Sequence, residues 1–177
     1  MIRPTTQIGH PVLRKRAKEI TLANVKAKNV QNLVHDLIDS MRAHDLVGMA
    51  APQIGKGVRV FVTEIRETKA RRGLKEADGV RVYINPRIVE SSSTQKVLYE
   101  GCGSLAHARL FGPVLRPTRV TIEALDERGE SFRFTARGLL AKVIQHELDH
   151  LDGTICVDRF TDTRRIMDRE EYLNKTP

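Results

Sequence analysis

Leu139-Leu140-Ala141-Lys142-Val143-Ile144-Gln145-His146-Glu147-Leu148-Asp149-His150 sets apolar residues 139, 140, 143, 144 and 148 at helical spacing and ends on two histidines four residues apart. The spacing predicts a buried helix that carries His146 and His150 on one face, with Glu147 beside them. Burying three ionisable groups without a partner costs several kcal/mol, and a cation shared by the two imidazoles supplies that partner. An H-E-x-x-H run of this kind points to hydrolysis by a metal-activated water, with Glu147 next to the open position of the ion.

Working outward, Arg119 to Leu125 and Ser131 to Thr135 flank Asp126-Glu127-Arg128-Gly129-Glu130, a hairpin signature placed directly before the helix. Strands are also predicted from Val58 to Ile65 and from Arg81 to Ile84, the second stopped by Asn85-Pro86, and then from Arg87 to Glu90 and Gln95 to Tyr99. Near the front, Val30, Leu33, Val34, Leu37, Ile38 and Met41 form the apolar stripe of an amphipathic helix over Val25 to Ala43, ended by Gly48. The run Gly48 to Gly55 follows, small residues where backbone can come close to a ligand. Asp162 to Lys175 has a thin apolar stripe suited to one more short helix. This order predicts an α+β fold, with mostly antiparallel β-sheets packed around a C-terminal metal-binding helix and an N-terminal amphipathic helix, in a single domain over residues 1–177.

The chain of 177 residues is 40% hydrophobic, enough for a real core. No apolar run suggests a signal peptide or a bilayer span, so a cytoplasmic protein without membrane contact is expected. Thirty Lys and Arg against 22 Asp and Glu give +8, a charge that favours polyanion surfaces such as the ribosome without establishing one. The densest basic run, Arg66, Lys69, Arg71, Arg72 and Lys75, is expected to be a solvated face; no zinc-finger spacing, glycine-rich phosphate loop or aromatic RNA-binding signature accompanies it, and no DNA partner is expected. Cys102 and Cys156 are expected to be free thiols, Cys156 inert and buried among Ile155 and Val157.

A catalytic site of this type needs a third protein ligand. Cys102, between Gly101 and Gly103, is the better candidate; Glu170, in the charged run Asp168-Arg169-Glu170-Glu171, is the other.

Gly48 to Gln53, Glu100 to Ser104 and Gln145 to His150 resemble the three ordered motifs of peptide deformylases, G-x-G-x-A-A-x-Q, E-G-C-x-S and Q-H-E-x-D-H. The resemblance extends to Ile8 to Arg14, Tyr83-Ile84-Asn85-Pro86 and Gly153, and so over nearly the whole chain. It implies removal of the formyl group from the N-terminal methionine of nascent peptides, with Fe2+ as the usual metal and Zn2+, Ni2+ or Co2+ as substitutes. It implies Cys102, His146 and His150 as metal ligands, Glu147 as general base and acid, and the Gln53 side chain with the Gly103 N–H as oxyanion hole. The substrate would pair as a strand near Val47, Gly48 and Gly101, with Leu139 and Val143 lining the methionine pocket and Arg109 near the peptide's path.

Three features depart from the pattern. Leu46 stands at the first motif's first glycine, Gly103 replaces the leucine common in E-G-C-L-S, and two extra residues are expected between Arg109 and Arg116. The first two bear on the loop conformation and on how well the oxyanion hole is preorganised. The alternatives are a related metallohydrolase acting on another amide, and a weakly active relative that binds nascent chains or ribosomes.

Overall fold

Val60-Phe61-Val62 is apolar at consecutive positions, so both faces of its strand must be covered. The computed structural model, which describes residues 1–69, 73 and 76–175, covers them with two helices. Val60 and Val62 join Val30, Val34, Leu37 and Met41 in one core, while Phe61 joins Ala141, Ile144 and Leu151 in another. The first set is the stripe of a helix over Lys28–Ala43 and the second belongs to one over Gly138–Leu151.

In chain order the elements are α1 (Leu22–Val25), α2 (Lys28–Ala43), β1 (Gly48–Ala50), β2 (Val60–Ile65), β3 (Asp78–Ser91), β4 (Gln95–Gly101), β5 (Leu110–Pro117), β6 (Arg119–Leu125), β7 (Ser131–Arg137), α3 (Gly138–Leu151), β8 (Met167–Asp168) and α4 (Arg169–Lys175), with short 3-10 turns between. One sheet has the order β1-β2-β3-β6-β7 and a second the order β4-β5-β8, all pairs antiparallel. The α+β arrangement around a C-terminal helix is therefore the one expected. The hairpin β6–β7 pairs Arg119 with Arg137 through to Leu125 with Ser131. No helix among the described residues is long and apolar enough to cross a membrane.

Several local expectations change. The strand at Arg81 does not stop at Asn85-Pro86; β3 continues to Ser91 through a register shift between Ile84 and Arg87. Asn85 takes φ 50° there, and its side chain exchanges two hydrogen bonds with the Ile20 backbone at 2.9 and 2.7 Å, so the bulge is satisfied from outside the ladder. Val58 stays outside β2 and bridges Lys18. The amphipathic helix ends at Ala43 as expected but starts at Lys28 rather than Val25, and what stops it is Asp45, turning with φ 58°, with the Leu46 N–H donating back to Met41 O at 2.9 Å, rather than Gly48. Gly48 to Ala50, read from the sequence only as small residues open to close approach, form the edge strand β1 against Thr63, Val62 and Phe61. Leu110 to Pro117 is a full strand beside β4. The tail expected as one helix divides into a 3-10 turn at Thr163–Arg165, β8 and α4.

In the basic run, Arg66 is partly buried and donates to Leu46 O at 3.0 Å, so it is more than a solvated face. Arg71, Arg72 and Lys75 lie outside the described residues.

Candidate metal centre

Helix α3 threads between the two sheets, and its burial on almost every side places His146, Glu147 and His150 in the interior. From the second sheet, β4 ends at Gly101 and delivers Cys102 against them. The Cys102 Sγ and one nitrogen from each histidine lie within 4.8 Å of one another. His150 Nε2 is 3.1 Å from that sulfur, and the two imidazole rings stand edge to face at 5.0 Å. Glu170, the other candidate ligand, is exposed on α4 and is not in this group.

The donor set suits a divalent ion held by two nitrogens and one sulfur. Cys156 acts first on the Cys102 thiol: its S–H donates to the sulfur and outweighs the opposing effect of burial, and the nearby His150 adds to the lowering, so the thiolate form is held well below the ordinary cysteine range. Cys156 is thus buried as expected but is in contact with a ligand sulfur. Burial opposes a charge on His146, yet hydrogen bonds to Cys102 and Glu100 outweigh it and hold that group well above the ordinary histidine value. Two anionic groups converging in this way favour a positive charge at the centre. Glu147 Oε2 and His150 Nδ1 are buried with no hydrogen-bond partner among the described residues, polar atoms left for something else to meet. Burial raises the Glu147 carboxyl to about 7, the neighbouring histidines opposing the rise.

A second layer of charge holds the ligands. Glu100, almost inaccessible to solvent, accepts from His146 Nδ1 at 2.9 Å and from Arg116 Nε and Nη2 at 2.9 and 3.0 Å. The Nδ1 of His146 is thereby occupied and its Nε2 left for a metal. Burial opposes ionisation of Glu100, but its bonds to His146 and Arg116 hold it well below the usual carboxylate range. Arg116 Nη1 also donates to Asp149 at 2.7 Å, and Arg159 closes the other side of Asp149 with two bonds of 2.6 Å. No role was expected for Glu100, Asp149 or Arg116. Their available signals were the first position of the E-G-C motif, the Asp of the H-E-x-x-H turn, and an arginine in the otherwise apolar Val114-Leu115-Arg116-Pro117.

Gln53 is buried, with its orientation set by the Ala50 N–H donating to Oε1 at 2.8 Å. That turns Nε2 toward the centre, 3.5 Å from Cys102 Sγ. The cleft over the centre holds about 50 Å³ and is lined by Leu46, Val47, Gly48, Gln53, Gly101, Gly103, Lys142 and Val143 together with Cys102, His146, Glu100 and Glu147. The Gly103 N–H has no acceptor among the described residues. Leu139 packs with Val47, Ile65 and Val143 behind this wall. Arg109 is exposed, off the lining, its carbonyl accepting from Arg169 N at 2.8 Å.

Gly48 owes its identity to close approach: a Cβ there would stand 2.5 Å from Glu147 Oε1 and 2.6 Å from Val143 Cγ1. Gly48→Ala is expected to displace the Glu147 carboxylate and lower turnover roughly a hundredfold, since misplacing a reacting group by about 1 Å costs that much. Steady-state kinetics at unchanged metal content check this; turnover within about threefold of the parent would show that the carboxylate has room to move.

Residues 2–166 match the family described as polypeptide deformylase. Among curated proteins, the chain is 37% identical over 159 residues to the peptide deformylase of Dictyoglomus thermophilum, covering 90% of this chain and 93% of that one. It is 40% identical over 149 residues to that of Natranaerobius thermophilus, covering 84% and 86%. Among solved structures, the peptide deformylase of Thermotoga maritima aligns with TM-score 0.77 at 33% identity over 92% of this chain and 99% of that one. A Met-Ala-Ser-bound class I type b peptide deformylase from Acinetobacter baumannii aligns with TM-score 0.82 at 28% identity over 90% and 99%.

Proposed function

The chain belongs to the polypeptide deformylase family of enzymes, and on that premise we propose that it releases formate from formyl-methionyl peptides, using Glu147 for proton transfer and Gln53 with the Gly103 N–H for charge stabilisation. The observation that carries this reading is the convergence of Cys102, His146 and His150 beside a buried Glu147 that has an unpartnered oxygen. Cys102, His146 and His150 would hold one divalent ion, Fe2+ by family resemblance, with Zn2+, Ni2+ or Co2+ able to take the same donors. When bound, such an ion acts as a Lewis acid toward water and toward a carbonyl oxygen.

The protein's own groups do the rest. Glu147, buried beside the centre, accepts a proton from the attacking water and returns it to the departing amine. As charge develops on the former formyl oxygen, Gln53 Nε2 and the Gly103 N–H donate to it; Gln53 is already oriented by Ala50 and reorganises little. Glu100 and Arg116 keep His146 in one tautomer and orientation. Val47, Gly48 and Gly101 offer the extended backbone that a peptide strand could join, and Val143 an apolar wall for a methionine side chain.

The decisive experiment is formate release from formyl-Met-Ala-Ser by protein purified anaerobically with Fe2+. Formate release is expected, and Gln53→Ala should lower kcat about a hundredfold while leaving metal content intact. Absence of release from fully metal-loaded protein would refute the substrate assignment.

A further inference from the structure

The two positions at which this chain departs from the motifs it resembles, Leu46 and Gly103, meet in space. A Cβ on Gly103 would stand 2.9 Å from Leu46 Cδ1, with Thr5 Cγ2 at 3.5 Å and Gln53 Nε2 at 3.9 Å. Residue 46 carries a side chain, residue 103 carries none, and the Leu46 side chain fills the room beside the bare Gly103. Both line the cleft over the metal centre.

The two differ in how firmly they are held. Leu46 is anchored through its backbone, donating to Met41 O at 2.9 Å and accepting from Arg66 Nη2 at 3.0 Å, and its side chain packs on the α2 core. Gly103 is held through its carbonyl, which accepts from Gln7 Nε2 at 2.9 Å, while its N–H has no acceptor among the described residues. A glycine with a free N–H next to Cys102 has rotational freedom that a neighbouring side chain must limit.

We propose that Leu46 is the positioning residue for the Gly103 N–H. Its isobutyl group occupies the space a side chain on residue 103 would fill and packs against the bare Cα, holding the peptide plane between Cys102 and Gly103 toward the cleft. One side chain is needed in that space, and either position can supply it. This inference rests on the deformylase reading for its kinetic consequence, though not for the packing itself. Gly103→Leu alone should therefore harm the enzyme by overpacking against Leu46, and Leu46→Gly alone should harm it by leaving two adjoining glycines and a void.

The test is a double-mutant cycle on the metal-loaded full chain: Leu46→Gly, Gly103→Leu and both together, with kcat and KM on formyl-Met-Ala-Ser, affinity for the product Met-Ala-Ser, metal content and thermal melts. Each single change is expected to lower kcat roughly tenfold, with KM and product affinity changed by less than about threefold, because the donor meets charge only in the transition state. The double variant should recover to within about threefold of the parent. A gentler cycle, Gly103→Ala with Leu46→Ala, covers failure of Gly103→Leu to fold: the alanine at 103 should cost several-fold with Leu46 present and little without it. Additive losses in both cycles, or losses confined to KM, would overturn the pairing. A parent that releases no formate would refute the function instead, and the cycle would still be read in the melts, where each single change should lower the melting temperature and the double variant should recover most of the loss.

Discussion

Glu147→Gln is expected to lower kcat by about a hundredfold to ten-thousandfold, the range for losing a positioned general acid–base, while metal content and affinity for Met-Ala-Ser stay within about threefold of the parent. Glutamine keeps the shape and one acceptor but cannot take and return a proton. The same substitution has a second, separable effect on the metal-free fold. The unfolded chain releases this proton near 4.5 and the folded chain near 7, burial being the cause. Between those values the folded state holds the extra proton, so stability falls as pH rises, by about 3 kcal/mol in all, and then levels off above 7. Glutamine has no such charge to bury. Urea melts of metal-free parent and variant at pH 5 and pH 8 should show the variant's relative stability increasing toward pH 8. A constant difference across that range would mean that Glu147 ionises freely in the folded protein.

Arg116→Met should destabilise the protein by about 3–5 kcal/mol, because removing one member of a buried ion network strands the others. Arg116 and Glu100 have side-chain exposures of 4% and 0%, so solvent cannot take over the lost bonds. Asp149 keeps Arg159, but Glu100 keeps only His146. The melting temperature should drop by roughly 10 °C or more. A tenfold to hundredfold weaker hold on metal is expected with it, read by chelator competition, since His146 loses the group that steadies its partner. Arg116→Lys should recover little, because one ammonium cannot reproduce the fork that serves Glu100 and Asp149 together. Glu100 is held below its unfolded value, so its contribution is present above about pH 4.5 and is lost as acid protonates it. A variant within about 1 kcal/mol of the parent would show that the network is balanced by its own desolvation.

The ligand helix was legible because three requirements fell on one short segment. Apolar periodicity placed it in the interior, the i, i+4 histidines shared a face, and the glutamate between them needed a partner once buried. Cys102 was legible only as one of two candidates, and spatial convergence excluded Glu170. Arg109, expected near the peptide's path, is exposed and off the cleft, whereas Arg116, given no role, is buried at the second layer of the centre. Both are arginines in the same stretch of chain; burial and the carboxylates delivered by β4 and α3 separate them. Asn85-Pro86 was expected to end a strand, since local chemistry argues for a stop, and tertiary bonds to Ile20 carry the strand past it.

The sequence alone determined the helix that bears His146, Glu147 and His150, the amphipathic face of α2, the hairpin before α3 and the class of fold, because these follow from periodicity and turn chemistry within a few residues of one another. Only the tertiary structure brought Cys102, and not Glu170, to the two histidines, set Glu100, Asp149 and Arg116 behind the metal centre, and showed that Gly48 must be bare to admit Glu147 and that Leu46 lies over Gly103. Those relations join residues far apart in the chain. They depend on how two sheets close around one helix, which local patterning does not encode.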